Sequence, residues 1–149
     1  MADAEELRRR LVGHRFPGGS FRVAEYERWL SHDAMQAGDL PPPVLHPVWI
    51  LLGALRGMGI TIEELIELAD ATPEDGVVFG ETTLDQRRPL ERDVDYAVRG
   101  EIVDVQRKQG RRGPFDLVTF ELQLDDATGP VAVNRQTFVF PRAEAAGAV

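Results

Sequence analysis

A chain of 149 residues can bury one sizeable core without staples, and this one has no cysteine, which excludes a disulfide framework and any thiolate metal site. A formal net charge of -8 argues against broad nucleic-acid binding, because neutralising phosphates needs a clustered basic surface. The acidic start, Met1 to Glu6, leads into no apolar signal region and no run nears the ~20 apolar residues of a membrane span, so the expectation is a single domain in the cytoplasm, off the membrane.

Residues 1–20 read as a loose N-terminal arm: Glu5 to Arg10 is helix-friendly, but Gly13 and Phe16-Pro17-Gly18-Gly19 break it. Phe21-Arg22-Val23 reads as a short strand. Ala24 to Ala37 reads as a helix whose apolar face is Tyr26, Trp29, Leu30 and Ala34, ending near Gly38. Pro41, Pro42 and Pro43 cannot enter a helix, so this segment is expected to run extended as polyproline II until Pro47 opens the next helix. That helix holds Val48, Trp49, Ile50, Leu51, Leu52, Ala54 and Leu55 with no polar face, a pattern that predicts burial on all sides.

Gly57 and Gly59 mark a break, after which Thr61 and Glu64 form a capping box for a helix with Leu65, Ile66, Leu68 and Ala69 on one face. Pro73 stops it, and Asp75-Gly76 turns into a strand over Val77 to Leu84. The last third alternates as long strands. They cover Val94 to Val105 with a bulge or bend at Gly100, Phe115 to Leu124, and Val131 to Phe140, joined by a basic turn at Arg107–Gly113 and a hairpin at Asp125–Gly129. Residues 142–149 read as a frayed tail. A short strand, helices, then antiparallel strands around a buried helix is an α+β pattern.

Phe21-Arg22-Val23 with its helix, Pro43-Val44-Leu45-His46 entering the apolar helix, and Arg88-Pro89-Leu90 before the Val94 strand are together similar to MaoC-like acyl-thioester hydratases and dehydratases. The resemblance covers Phe21 to Pro141. It implies a hot-dog fold, in which a curled antiparallel sheet wraps a central helix. It also implies a dimer joined sheet edge to sheet edge, homomeric or with a catalytic hot-dog subunit, that binds acyl-CoA or acyl-carrier-protein thioesters. No cofactor and no metal are implied.

Hydratases of that family carry an Asp and a His five residues apart in an Asp-x-Asn-Pro-x-His loop. Here the nearest match is Asp39 and His46, seven apart and without the Asn. Along a polyproline II segment at ~3.1 Å per residue they would sit roughly 20 Å apart, too far to share one water. His46 better matches the family His that heads the central helix before a Gly; that Gly is Pro47 here and has no N–H to give a thioester oxyanion. The amides of Val48 and Trp49 remain as donors at the helix N-terminus.

Each candidate has a plainer role beside the functional one. His46 is an N-cap or a substrate contact, and Asp39 is a loop residue or an acid. Trp29 and Trp49 read as core, and His32-Asp33 does not face one direction as a dyad would. Arg107, Lys108, Arg111 and Arg112, extended by Arg87 and Arg88, are a polar hairpin or a clamp for coenzyme A phosphates or an acidic carrier face. No zinc spacing, phosphate-binding glycine loop or nucleophile elbow is present. Three readings stay open: a subunit without its own catalytic loop that serves a partner, which the altered motif favours; an autonomous hydratase or thioesterase using His46; and a ligand-binding scaffold without thioester chemistry. The central helix lacks the carboxylate that hot-dog thioesterases use, which weakens the thioesterase reading.

Overall fold

The computed structural model describes residues 3–38 and 40–142. In chain order its elements are α1 (Ala4–Leu11), β1 (Gly19–Phe21), α2 (Glu25–Met35), α3 (Val48–Gly57), α4 (Ile62–Leu68), β2 (Val78–Gln86), β3 (Tyr96–Gly110), β4 (Gly113–Asp126) and β5 (Gly129–Pro141). The strands form one antiparallel sheet in the order β1-β3-β4-β5-β2. Alternation along β4 puts Val118, Phe120, Leu122 and Leu124 on the inner face, beside Phe138 and Phe140 of β5 and Val98, Ile102 and Val105 of β3. Helix α3 lies across that face and touches every strand, so the expected wrapping of sheet around helix is present.

Close approach sets the depth of α3. A Cβ on Gly53 would fall 2.3 Å from the ring of Phe21, which stacks on Tyr96 at 5.4 Å between centroids. The Thr61–Glu64 capping box of α4 forms as read, with Glu64 N–H donating to Thr61 Oγ1 at 3.0 Å and Thr61 N–H to Glu64 Oε2 at 3.3 Å. At the far edge, fully buried Asn134 donates to Thr82 Oγ1 at 2.8 Å and accepts from Gln136, tying β5 to β2 by polar side chains.

Several expectations are corrected. The N-terminal arm is not loose: Leu7 and Leu11 of α1 are fully buried, since they stand at i, i+4 on the helix face turned to the sheet, and Arg8 donates to Asp104 and Val105 of β3. Arg142, placed in the tail, is buried and holds Asp116 Oδ2 at 2.8 Å and the carbonyls of Ala69 and Asp70; residues 143–149 lie outside the described residues. The basic turn is mostly strand, since β3 and β4 pair through to Gly110 and Gly113. Gly100 pairs regularly with Leu122, and the register shift comes between Ile102 and Asp104.

Pro41–Pro43 is no extended rod. Val44 N–H donates to Pro41 O at 2.8 Å, closing a turn over the Pro42–Pro43 peptide, which is cis. Helix α3 is also not sheathed all round: Trp49, Ile50, Gly53, Ala54 and Gly57 face inward, while Leu52 is 41% exposed. Helix α2 reverses the reading of its faces. Arg28 and His32 are its buried residues, whereas Tyr26, Trp29 and Leu30 point outward.

Candidate functional site

The N-terminal end of α3 is built by three segments. The approach Val44-Leu45 is fixed to the β2–β3 connection by Leu45 N–H donating to Leu90 O at 2.8 Å and Arg92 N–H donating to Pro43 O at 3.0 Å. That connection is held in turn by Glu91 N–H, which donates to the buried Tyr96 hydroxyl at 2.8 Å. The third segment is α2. Arg28 Nε donates to Val44 O at 2.8 Å and its Nη2 to Leu40 O at 3.1 Å.

Two imidazoles meet here, with ring centroids 6.4 Å apart. His46 Nδ1 accepts from Val48 N–H at 3.0 Å, so the ring, one residue ahead of the Pro47 N-cap, satisfies the first donor of α3. His46 N–H donates to His32 Nε2 at 2.9 Å, which requires that nitrogen to be unprotonated. Burial lowers the pKa of His32 below 6.5, with help from Arg28 and His46; Glu25 opposes them. Trp49 Nε1 donates to Ser31 Oγ at 3.0 Å, and Arg56 stands 5.2 Å over the Trp49 ring.

The first-turn donors of α3 are therefore committed. Val48 N–H goes to the His46 ring, Trp49 N–H to His46 O at 3.0 Å and Ile50 N–H to Pro47 O at 2.9 Å. This overturns the expectation of free Val48 and Trp49 amides: the His46 ring and the His46 carbonyl stay close enough to take theirs. The Trp49 side chain is core, as expected. Trp29 is not, being 60% exposed. Asp39 lies outside the described residues, so its relation to His46 is not part of this geometry.

The basic residues are not gathered into one clamp. Arg88 Nη2 is bound to Asp126 at 2.6 Å and Thr128 at 2.7 Å, at the β4–β5 turn near the entry to α3. Arg107 makes a two-pronged contact with buried Asp116. Lys108, Arg111 and Arg112 are exposed at the β3–β4 hairpin. Those two turns terminate opposite ends of β4, whose run from Gly113 to Asp126 at ~3.4 Å per residue spans roughly 45 Å. The hairpin and the α3 N-terminus of one chain are thus at opposite ends of the sheet.

His32 and Arg28 were missed as site residues. They form a polar pair at i, i+4, but Glu25, Glu27, Ser31 and Asp33 are polar too, and periodicity alone does not say which face is covered. An open cavity of about 380 Å3 lies beside His32, with Trp29, Asp33, Gln36 and Leu40 on its walls. Among the described residues no cluster of three or more His, Asp or Glu is placed to hold a metal ion, and no helix is long and apolar enough to cross a membrane.

No protein-family model matches the chain, and no curated protein matches it. Solved structures do. A chain of the ChsH1-ChsH2 complex from Mycobacterium tuberculosis aligns with a TM-score of 0.65 at 16% identity, covering 96% of this chain and 92% of that one. A MaoC-like dehydratase aligns at 0.70 and 20% identity over 92% of this chain, which spans only 44% of the dehydratase. A hot-dog-like protein from Thermanaerovibrio acidaminovorans aligns at 0.56 and 18% identity, covering 93% and 87%. Identities this low carry the architecture alone. The chain has the hot-dog fold, and MaoC-like dehydratases are among the proteins whose structures it is similar to.

Proposed function

We propose that this chain is a MaoC-like hot-dog subunit that binds acyl-CoA or acyl-carrier-protein thioesters and works as the non-catalytic or weakly catalytic partner in an enoyl-thioester hydratase or 3-hydroxyacyl dehydratase. The observation that carries the reading is the commitment of His46. A general base needs a free lone pair aimed at the water it activates. His46 spends its Nδ1 lone pair on the Val48 amide, which leaves Nε2 protonated and able only to donate. The amides that would polarise a thioester carbonyl are occupied by the same cap.

The need for a second chain is supported by two open surfaces. Strand β2 is exposed along its whole length, with Val78, Phe79 and Leu84 uncovered, and its outer edge has no neighbour among the described strands. A partner strand there would extend the sheet and bring a second hot-dog unit, with the general acid and base, to the thioester. The solved ChsH1-ChsH2 complex pairs two differently named chains, one of which has this fold.

The test compares the purified chain with the chain co-expressed beside a hot-dog protein encoded nearby that carries the Asp and His. Hydration of an enoyl-CoA is expected only from the pair. Turnover by the lone chain that disappears in His46→Ala would instead establish the autonomous enzyme. Coenzyme A is expected to raise the melting temperature of the pair, since a ligand at 100 times its Kd stabilises the native state by about 2.7 kcal/mol. No shift at millimolar coenzyme A, with or without the partner, would leave the scaffold reading.

A further inference from the structure

Helix α2 is attached by polar contacts and wears its apolar residues outside. Besides the two Arg28 bonds to Val44 and Leu40, Ser31 takes the Trp49 indole N–H, Glu27 pairs with Arg56 at 3.0 Å, Glu25 with Arg92 at 2.9 Å, and His32 takes the His46 amide. Its buried side chains are Arg28 and His32, while Tyr26, Trp29 and Leu30 are 67%, 60% and 54% exposed. Apolar burial, which fixes α1, α3 and α4 to the sheet, therefore does little to hold α2. A helix of 11 residues is not stable by itself in water, so its position depends on these ties.

One of the ties depends on protonation. His32 Nε2 accepts from the His46 amide at 2.9 Å only as neutral imidazole. A proton on that nitrogen turns the bond into two donors facing each other and sets a second cation beside Arg28, one helical turn away. Beneath α2 lie the Trp49 indole, 4% exposed, the His46 ring and the capped first turn of α3. The cavity beside His32 gives solvent a route to the ring.

We propose that α2 is a lid over the N-terminal end of α3, released when His32 takes up a proton. The groups facing His32 set where this happens. Burial, Arg28 and His46 disfavour the proton, Glu25 favours it, and Asp33 shares the cavity wall. The balance puts release below pH 6.5. Released, α2 uncovers Trp49 and the His46 cap and frees the Leu40–Val44 segment that Arg28 holds. That this gates a thioester rests on the function proposed above; the movement itself does not.

The two tryptophans allow a test without any thioester. Trp29→Phe replaces an exposed side chain and leaves Trp49, under the lid, as the sole tryptophan. Its emission and acrylamide quenching are read from pH 8 to 5. The expected result is a red shift and a rise in quenching with a one-proton transition centred below 6.5, the open-to-closed ratio growing by up to about tenfold per pH unit. Adding His32→Gln, which keeps an acceptor but takes no proton, should abolish the transition. On the natural sequence, amide protection relative to the intrinsic rate at each pH should fall at His46 and Val48 while β4 stays protected. Flat quenching, an unchanged transition in His32→Gln, its loss in His46→Asn instead, or loss of β4 protection at the same midpoint would each overturn the proposal.

Discussion

His46 serves two helices at once. Its ring accepts from Val48 N–H as a cap, and its backbone donates to His32, so one residue fixes both the start of α3 and the seat of α2. Replacing His46 by Ala removes the cap and is expected to cost about 1 kcal/mol in urea melts, whereas His46→Asn, which offers a carbonyl oxygen at similar reach, should retain most of it. A drop in stability equal in both variants would assign the ring to packing. The cap was readable because it is local: a polar side chain one position ahead of a proline-led helix has few other partners. The Thr61–Glu64 box was readable for the same reason.

At the scale of elements, what the sequence concealed was direction. Tyr26, Trp29 and Leu30 recur at helical spacing, which establishes an apolar stripe but not that the stripe faces the core. Here Arg28 and His32 face inward because the backbone of Leu40–His46 offers two carbonyls and an amide that need partners, while α3 already has the sheet. The three prolines misled similarly. Each restricts φ, which favours an extended run, yet the segment folds into a turn once Val44 N–H finds Pro41 O and Leu45 finds Leu90 O. The other concealed element is a clasp. Asp116 of β4 is fully buried between Arg107 of β3 and Arg142 after β5, and Arg142 also takes the Ala69 and Asp70 carbonyls just past the end of α4. Burial opposes the charge on Asp116, but the hydrogen bonds from Arg107 and Arg142 outweigh it and hold the carboxyl below its usual range. The clasp therefore stabilises fully above the unfolded carboxyl value of about 3.9 and is lost as the pH falls through the lower folded value. Asp116→Ala removes the buried carboxylate that Arg107 and Arg142 share and is expected to cost about 3–5 kcal/mol by chemical denaturation. A cost under 1 kcal/mol would show that solvent already screens the cluster.

For the whole molecule, the order of elements and the alternation of the last three strands made the fold legible: β4 buries every second residue, and β5 does so from Ala132 to Phe140. The separation of the basic hairpin from the α3 N-terminus was not legible, since composition places Arg88 and Arg107 near each other in the chain while the strands carry them to opposite ends. Under the function proposed above, a thioester touching both would cross between subunits. The second subunit's seat is expected on β2. Leu84→Lys puts a charge on the exposed edge strand and should shift the chain, alone or with a co-expressed hot-dog protein, toward monomer in sedimentation velocity, with an unchanged melting profile for the monomer. Association that survives the lysine would move the interface away from that edge.

The meander of β3, β4 and β5 closes through two tight hairpins, at Gly110–Gly113 and Asp126–Gly129, whereas β2 must reach β5 across tens of intervening residues and β1 must reach β3 across still more. Bringing distant segments together loses more chain entropy than closing a hairpin. The β2 edge offered to another polypeptide is therefore set in place at a greater entropic cost than the meander it borders. Recruitment of that polypeptide is tied to completion of the monomer, and a half-folded chain presents no finished border to recruit with.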